Sequence, residues 1–490
     1  MPLVMQDVIS EKRMESRSAT VSRFAGKRVH FIGIGGSGMS GLARMLLDAG
    51  AIVSGSEPKL NPQTEDLKRR GVQISTTQTG ELLTNHIDLV VRTAAIPETN
   101  AEFLLAGELQ LPQMKYARLL GEVMAERFGV AIAGTHGKST TTAMTAFALL
   151  ECGADPSFVV GGTSPQLGGG SRSGAGPVFV AEACEYDRSF HNLRPTVACI
   201  TNIEADHLDC YHDLHDIIGS FRTFAELTPL DGVVLANGAD PSVTEALKGI
   251  SAPVQTVAID HPATWSTRVT GEEWGCYRGE ISSEGKVVAR LRLSIAALHN
   301  LFNATLAVAA CAACGIDPAE AAEAIGRFTG VDRRMTEMGL FNGAMIVDDY
   351  GHHPTEIRAT LEALRNKYKP TRLLCVFQPH QASRTRLLFD DFATSFMSTQ
   401  EAILADIFYV RDSDDERDQV SSAKLVEKIK SNGQSARHLA DFTQIKEYLR
   451  REARTGDLIV TMGAGPVWEI GRDLVRQEKM SCQLPVISCQ

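Results

Sequence analysis

The chain has 490 residues, 43% of them hydrophobic, and a formal net charge of -10, which is enough apolar sequence for about three domains of roughly 150 residues. That charge, with no polybasic block, excludes nucleic acid and anionic membrane as main partners, though not local phosphate-binding clefts. No apolar run approaches the roughly 20 residues that span a bilayer, and the N-terminal MPLVMQDVISEKRMESRSATVSR lacks the apolar core of a signal peptide, so a cytoplasmic protein without membrane insertion is expected. The ten cysteines are scattered, and Cys199 and Cys375 lie in apolar surroundings that suit reduced, buried thiols.

Residues 1–26 are polar and mixed in charge, and read as a mobile tail. RVHFI at 28–32 then reads as a strand, GIGGSG at 33–38 as a G-x-G-x-x-G turn, and 39–49 as the helix behind it. Such a turn presents backbone N–H groups and a helix N-terminus to a pyrophosphate. The second strand, 51–56, ends at Glu57, about where a Rossmann acid would meet a ribose hydroxyl. NAD satisfies this geometry, and so does any other nucleoside diphosphate. A further strand at 88–96 precedes Pro97, and the first domain is placed at 27–126.

The second domain, 127–331, opens on the apolar run VAIA at 130–133, the loop GTHGKSTTT at 134–142 and a helix at 143–150. This is a shortened phosphate loop, because Ile132 stands where the longer form has its first glycine. Its glycines let the backbone amides converge on an anion, Lys138 adds a mobile cation, and Ser139 or Thr140 offers a hydroxyl to a Mg²⁺ on β- and γ-phosphates. ATP or GTP is implied. Strands at 177–182 and 196–202 end in polar residues, so Glu182, Glu185, Asn202, Glu204, Asp206 and His207 are expected to converge near Ser139 at the strand C-termini. Residues 161–176, rich in glycine and serine, read as a mobile loop over that site or a flexible linker. Strands follow at 232–236 and 254–259, then a weakly patterned stretch at 264–295 that reads as a small antiparallel insertion. HNLFNA at 299–304 opens a long small-residue helix, on which Cys311 and Cys314 line a helix contact rather than a metal or redox site.

The pattern restarts near Gly330, and the third domain is placed at 332–490. It reads as parallel α/β again, with strands at 344–349, 373–377, 402–410 and 457–462 and a helix at 355–365. The charge run RDSDDERDQ at 411–419 reads as a solvated loop.

The segments VHFIGIGGSGMSGLA, GTHGKSTTT, VAEACEYDRSF, TNIEADHLDCY, HNLFNATLA, DDYGHHPTEI and QPH, the last followed by SRTR and DDF, occur in this order across residues 27–475. Together they resemble the Mur ligases. The resemblance implies three α/β domains: a Rossmann-like one for UDP-sugar, a central P-loop ATPase and a Rossmann-like C-terminal domain that closes over the nucleotide. It implies a step of peptidoglycan synthesis in which ATP and Mg²⁺ drive an amide bond between the lactyl carboxylate of UDP-N-acetylmuramate and an amino acid, through an acyl phosphate. On this reading UDP, not NAD, meets Gly33, Gly35, Gly36, Ser37, Gly38, Met39, Ser40 and Glu57. ATP meets Gly134, Thr135, His136, Gly137, Lys138, Ser139, Thr140, Arg334 and Asp349, while Asn300 and Asn303 read adenine; N-capping of the helix by Asn300 is the alternative. Ser139, Glu182 and His207 are the implied Mg²⁺ ligands, Arg334 resembles an arginine finger with Arg333 beside it, and Tyr350, His352, His380 and Arg384 map to the amino-acid side. His352 is the candidate for taking the ammonium proton, and His353 the candidate for bracing its loop.

Three departures accompany the resemblance. Cys184 and Tyr186 stand where the family often has Asp and Ser, and Gln381 and Ala382 follow QPH where Arg and Tyr are usual. No lysine occurs at 208–247, whereas other branches use a carbamylated lysine there. This favours the L-alanine-adding branch, with a branch that attaches a recycled tripeptide as the nearest rival. An NAD-dependent oxidoreductase follows from the first glycine turn alone, and a non-catalytic nucleotide sensor from the phosphate loop alone.

Overall fold

Apolar runs of four to six residues without alternation form strands buried on both faces, and this chain has them in three groups. In the computed structural model, which describes residues 21–481 apart from 94 and 411, each group is a separate sheet. Residues 1–20 of the expected tail lie outside the described residues. Phe24 is buried against the first core, and Arg23 pairs with Glu122 and Glu126.

The first sheet runs Gln73–Ser75, Ile52–Ser56, Arg28–Ile32, Leu89–Arg92, Gln113–Lys115, all parallel. The helix Ser37–Asp48 buries Met39, Leu42, Ala43, Met45 and Leu46 as one apolar stripe.

The second sheet has ten strands. Its parallel centre is Val254–Ile259, Val233–Asn237, Val197–Ile200, Phe128–Ala133 and Val178–Glu182. Phe128–Ala133, the strand before the phosphate loop, is buried at every residue. Trp265–Glu273 joins Val254–Ile259 in parallel, and Cys276–Ser283 and Lys286–Arg292 extend that edge antiparallel, so the insertion expected at 264–295 forms. On the other edge the structure corrects the expected mobile loop at 161–176. Ser157–Ser164 and Gly169–Arg172 form an antiparallel hairpin, and Ser171 of this hairpin touches the first domain's helix: Arg44 Nη2 donates to Ser171 Oγ at 2.7 Å. Glycine here permits close approach of backbone to a neighbouring helix.

The helix Leu298–Ala313 packs over the sheet beside Lys138–Glu151. Its N-cap is Ala297, and Asn300 lies inside it with its amide donating to Ala296 O at 2.6 Å, so Asn300 does not cap the helix. Cys311 and Cys314 are buried free thiols, and Cys311 faces Thr145 O of the neighbouring helix, which is the helix contact expected of them.

The third sheet runs Thr336–Phe341, Ala344–Asp349, Asp457–Met462, Arg372–Phe377, Glu401–Leu404, Ala436–His438. Only the first pairing is antiparallel. The strand expected at 402–410 stops at Leu404. Much of the charge run is helix, not loop: Ser413 caps Asp414–Gln419 by accepting from Glu416 N while Glu416 reaches back to Ser413 N. Among the described residues, no helix is long and apolar enough to cross a membrane.

Candidate active site

Parallel register sets the C-terminal ends of three central strands side by side. Ile132 pairs with Glu182 and Ala133 with Ile200, so the phosphate loop, Glu182 and the segment after Ile200 open at one edge. Gly137 is the N-cap of Lys138–Glu151 at φ +83°, and a Cβ there would stand 2.7 Å from Asn303 Oδ1. Only glycine fits, both for its left-handed backbone and for the close amide of Asn303.

Lys138 Nζ donates to Gly134 O at 2.6 Å, Thr135 O at 3.0 Å and Glu185 Oε1 at 2.9 Å. Burial alone would lower its pKa, but the acidic groups around it, Glu185 foremost and Glu182 with it, together outweigh burial and raise it, so the ammonium stays charged. Glu185 is buried, and its second oxygen has no hydrogen-bond partner. His207 Nε2 lies 3.6 Å from Glu185 Oε1, and its Nδ1 is likewise buried without a partner. Glu182 Oε2 accepts from Gly161 N at 2.7 Å. Lys138, Glu182, Glu185 and His207 therefore gather at the end of the phosphate loop, as their positions after strands predicted.

A cleft of about 640 Å³ extends from this loop between the central and third sheets. His136, Gly137, Ser139, Thr140, Asn202, Glu204, His299, Asn300, Asn303, Arg334 and Asp349 all line it. Asn303 Nδ2 donates to Asn300 Oδ1 at 3.2 Å, and both side chains are buried. Gly275 and Tyr277 from the antiparallel insertion, with Asn366 and Lys367 from the helix Pro354–Tyr368, complete the far wall. Sequence reasoning did not single out these four, because nothing local marks a residue as lining a cleft made by two domains.

The third domain brings Arg334 over the Tyr350 ring at 5.2 Å and to 3.6 Å from Glu356. Arg333 turns inward instead: Nε donates to Asp348 Oδ2 at 3.0 Å and Nη2 to Gly463 O at 2.7 Å. Asp349 accepts from Met335 N and Gly351 N at 2.8 and 2.7 Å, and burial, only partly offset by Arg334, pushes its carboxyl up to about 6. His352 lies beside Tyr350 and His380, ring centroids 5.5 and 6.1 Å away. Burial and then the Arg384 guanidinium push its imidazole down to about 3, so it is neutral.

Arg384 does reach the central domain, through a protein carboxylate. Its Nε donates to Asp206 Oδ1 at 2.8 Å with both side chains buried, and Nη1 donates to His380 O at 3.2 Å. Gln381 is buried at φ +71° and donates to Val410 O at 3.3 Å. His353 braces across the same boundary, its Nε2 donating to Ala205 O at 3.2 Å, and Thr355 Oγ1 donates to Glu204 Oε2 at 2.7 Å. The residue most clearly missed is Glu356, which faces His136, Arg334 and the His352 amide. Its signal was present in HHPTE: an acid three positions after a helix-capping residue reaches back to the loop amides.

The first domain's turn is closed by its own acid. Gly35 N donates to Glu57 Oε2 at 3.0 Å and Asn61 Nδ2 to Gly35 O at 2.9 Å. Gly36, Ser37 and Gly38 lead into the helix that carries Met39 and Ser40, and Gly38 lies against Tyr116.

Three family models match the chain in succession: the Mur ligase family catalytic domain at residues 28–128, the Mur ligase middle domain at 132–311 and the Mur ligase glutamate ligase domain at 333–465. The chain is 41% identical to the UDP-N-acetylmuramate–L-alanine ligase of Caldanaerobacter subterraneus subsp. tengcongensis, over 92% of this chain and 98% of that one. It is 40% identical to the enzyme of that name from Acetivibrio thermocellus, over 93% and 97%. Among solved structures it is similar to UDP-N-acetylmuramate-alanine ligase of Thermotoga maritima, at 24% identity, TM-score 0.75 and 93% and 99% coverage. It is similar also to a murein peptide ligase of Psychrobacter arcticus, at 26% identity, TM-score 0.68 and 94% and 100% coverage. With three domain models matched in order and relatives aligned over nine-tenths of its length, this chain belongs to the Mur ligase family.

Proposed function

We propose that the chain joins L-alanine to the lactyl carboxylate of UDP-N-acetylmuramate, converting ATP to ADP and phosphate. The observation that carries this reading is the cluster of Lys138, Glu182, Glu185 and His207 at the end of the phosphate loop, beside a cleft lined by Ser139, Asn300 and Asn303. Near-full-length relatives bearing the alanine-adding name support the choice of amino acid.

A carboxylate does not acylate an amine at neutral pH without a leaving group. It attacks the γ-phosphorus of ATP, releasing ADP and forming an acyl phosphate; the amine then attacks the acyl carbon and expels phosphate. Phosphate-loop amides fix the phosphates in line, and Lys138 supplies positive charge to the phosphoryl oxygens as they gain it. Arg334 adds a second cation from the third domain. Asn300 and Asn303 offer both donors and acceptors to adenine. His352 Nδ1 faces Tyr350 O at 3.2 Å, so that nitrogen carries the proton and Nε2 keeps a lone pair for the ammonium proton. Its low pKa makes it a weak base until substrates change its surroundings.

The oxygen donors of this set suit Mg²⁺, for which the His207 nitrogen is an unusual ligand. Glu182 and Ser139 supply oxygen, and Glu185 Oε2 and His207 Nδ1 are buried polar atoms lacking partners, a condition that a bound cation relieves. Ser139, Glu182, Glu185 and His207 would hold the ion, which supplies charge neutralisation at the phosphates. The first domain, through the turn Gly33–Gly38, Ser40 and Glu57, would hold the UDP moiety, although the Gly35 amide is already taken by Glu57.

Purified protein with ATP, Mg²⁺ and UDP-N-acetylmuramate should release phosphate when L-alanine is added. Release with a murein tripeptide and none with alanine would assign the chain to the recycling reaction instead.

A further inference from the structure

Two imidazoles and a carboxylate from three separate segments meet at the boundary of the central and third domains. His136 lies in the phosphate loop, Glu204 follows the strand Val197–Ile200, and His353 caps the helix Pro354–Tyr368. One ligand-type atom from each lies within 4.8 Å of the other two. His136 Nε2 is 3.5 Å and His353 Nδ1 3.7 Å from Glu204 Oε2, both too long for a good hydrogen bond. His136 Nε2 is buried and has no hydrogen-bond partner.

The surroundings fix how each ring is protonated. His353 Nε2 faces Ala205 O at 3.2 Å, and a carbonyl only accepts, so the proton is on Nε2. Thr355 N donates to His353 Nδ1 at 3.3 Å, which confirms a lone pair there. Burial alone would lower the pKa of His136, but Glu356 Oε1 at 3.2 Å from Nδ1 and Glu204 Oε2 at 3.5 Å from Nε2 raise it to about 9, so the free ring is charged and an incoming ion replaces the Nε2 proton. Each ring thus turns one nitrogen to the shared space and is held from behind by a carboxylate or a carbonyl. Histidines that ligate metals are oriented in this way.

We propose that His136, Glu204 and His353 form a His₂Glu site for a zinc-class divalent ion. Two imidazole nitrogens and one carboxylate suit Zn²⁺, whereas Mg²⁺ takes oxygen almost exclusively. The set is separate from Ser139, Glu182 and His207: His207 turns to Glu185 instead. Three protein donors leave one position open, and His136 and Glu204 both line the cleft that contains Ser139 and Asn303. His353 belongs to the third domain, so an ion held by the three ties that domain to the phosphate loop and keeps the cleft shut. The ion displaces the long hydrogen bond from Thr355 N and shares Glu204 Oε2 with Thr355 Oγ1, which donates to it at 2.7 Å. None of this rests on the ligase reading, since it concerns the free protein.

The test uses chelator-stripped full-length protein and Zn²⁺ alone, in competition with a chromophoric chelator, with circular dichroism to check folding. One Zn²⁺ per chain is expected at micromolar affinity or tighter. Glu204→Gln and His353→Ala should each weaken it at least about tenfold, and Glu356→Gln, which loosens the hold on His136, about tenfold. His207→Ala should leave it unchanged. Co²⁺ should give visible d–d bands that the same cluster variants lose. Wild-type binding no tighter than in Glu204→Gln would overturn the proposal and leave a purely hydrogen-bonded domain contact. Binding lost in His207→Ala but kept in Glu204→Gln and His353→Ala would overturn it too, placing the ion with Glu182. Should His353→Ala fail to fold, Glu204→Gln decides.

Discussion

At the scale of single residues, charge and burial decide what each group can do. Lys138 is the only ammonium held by the phosphate loop among the described residues, and its pairing with Glu185 keeps it charged. Lys138→Ala is expected to abolish phosphate release while UDP-N-acetylmuramate affinity, assigned to another domain, stays within a factor of about three; calorimetric titration measures the second quantity, and a large loss in folded protein would contradict the assignment. Asp349 gives a pH prediction. Its folded pKa of about 6 exceeds the unfolded value of 3.8, so the folded state binds the extra proton between those values. The penalty for ionising it is absent below about 3.8 and complete above about 6. Wild type should therefore gain stability relative to Asp349→Asn as pH falls through that window, by at most about 3 kcal/mol at 1.36 kcal/mol per unit. Melting temperatures of the two proteins at several pH values check the sign; parallel curves would show that Asp349 is not desolvated.

At the scale of elements, the hairpin Ser157–Ser164 with Gly169–Arg172 is the joint between first and second domains. Gly41, on the helix Ser37–Asp48, is the reason it can dock closely. A Cβ at Gly41 would lie 2.6 Å from Ser171 Cβ, inside any real contact distance. Gly41→Ala should cost about 1–3 kcal/mol by overpacking, and Gly41→Ala with Ser171→Gly should recover much of it, because the second change removes the colliding atoms. Thermal unfolding of the single and double variants is the measurement; strict additivity would show that the helix and hairpin do not press on each other.

At the scale of the molecule, the third domain is held on the central one by polar contacts that need no ligand: Arg384 with Asp206, Thr355 with Glu204, His353 with Ala205 O. Arg384 was expected at the amino-acid carboxylate, and its buried pairing with Asp206 offers a second role, that of a latch. Removing one partner of such a pair leaves an uncompensated buried charge, at about 3–5 kcal/mol. Two variants separate the roles. Arg384→Ala should raise the KM for alanine sharply on either account, whereas Asp206→Asn should leave that KM near wild type if Arg384 grips alanine and raise it equally if the ion pair itself aligns the domains. Small-angle scattering on the ligand-free proteins reads the latch directly, as an increased radius of gyration in both variants.

The sequence by itself determined the three α/β units and the phosphate loop. Each depends on contiguous residues: an apolar strand, glycines at fixed offsets and a helix behind them. The convergence of Glu182, Glu185, Asn202, Glu204, Asp206 and His207 was legible for the same reason, since parallel strands all end on one edge. The antiparallel insertion at 264–295 was readable only as a weakly patterned stretch between strands and the long helix, and the hairpin at 157–172 was not readable, because its glycines signal flexibility locally and acquire their purpose only when a helix from another domain packs on them. Tertiary structure alone decided that Asn300 lies within its helix, that Glu356 joins His136 to Arg334, and that Arg384 meets Asp206 across 178 positions of chain. Those contacts depend on how separately folded units dock. Side-chain chemistry permits many such pairings, and only the distances between elements select one.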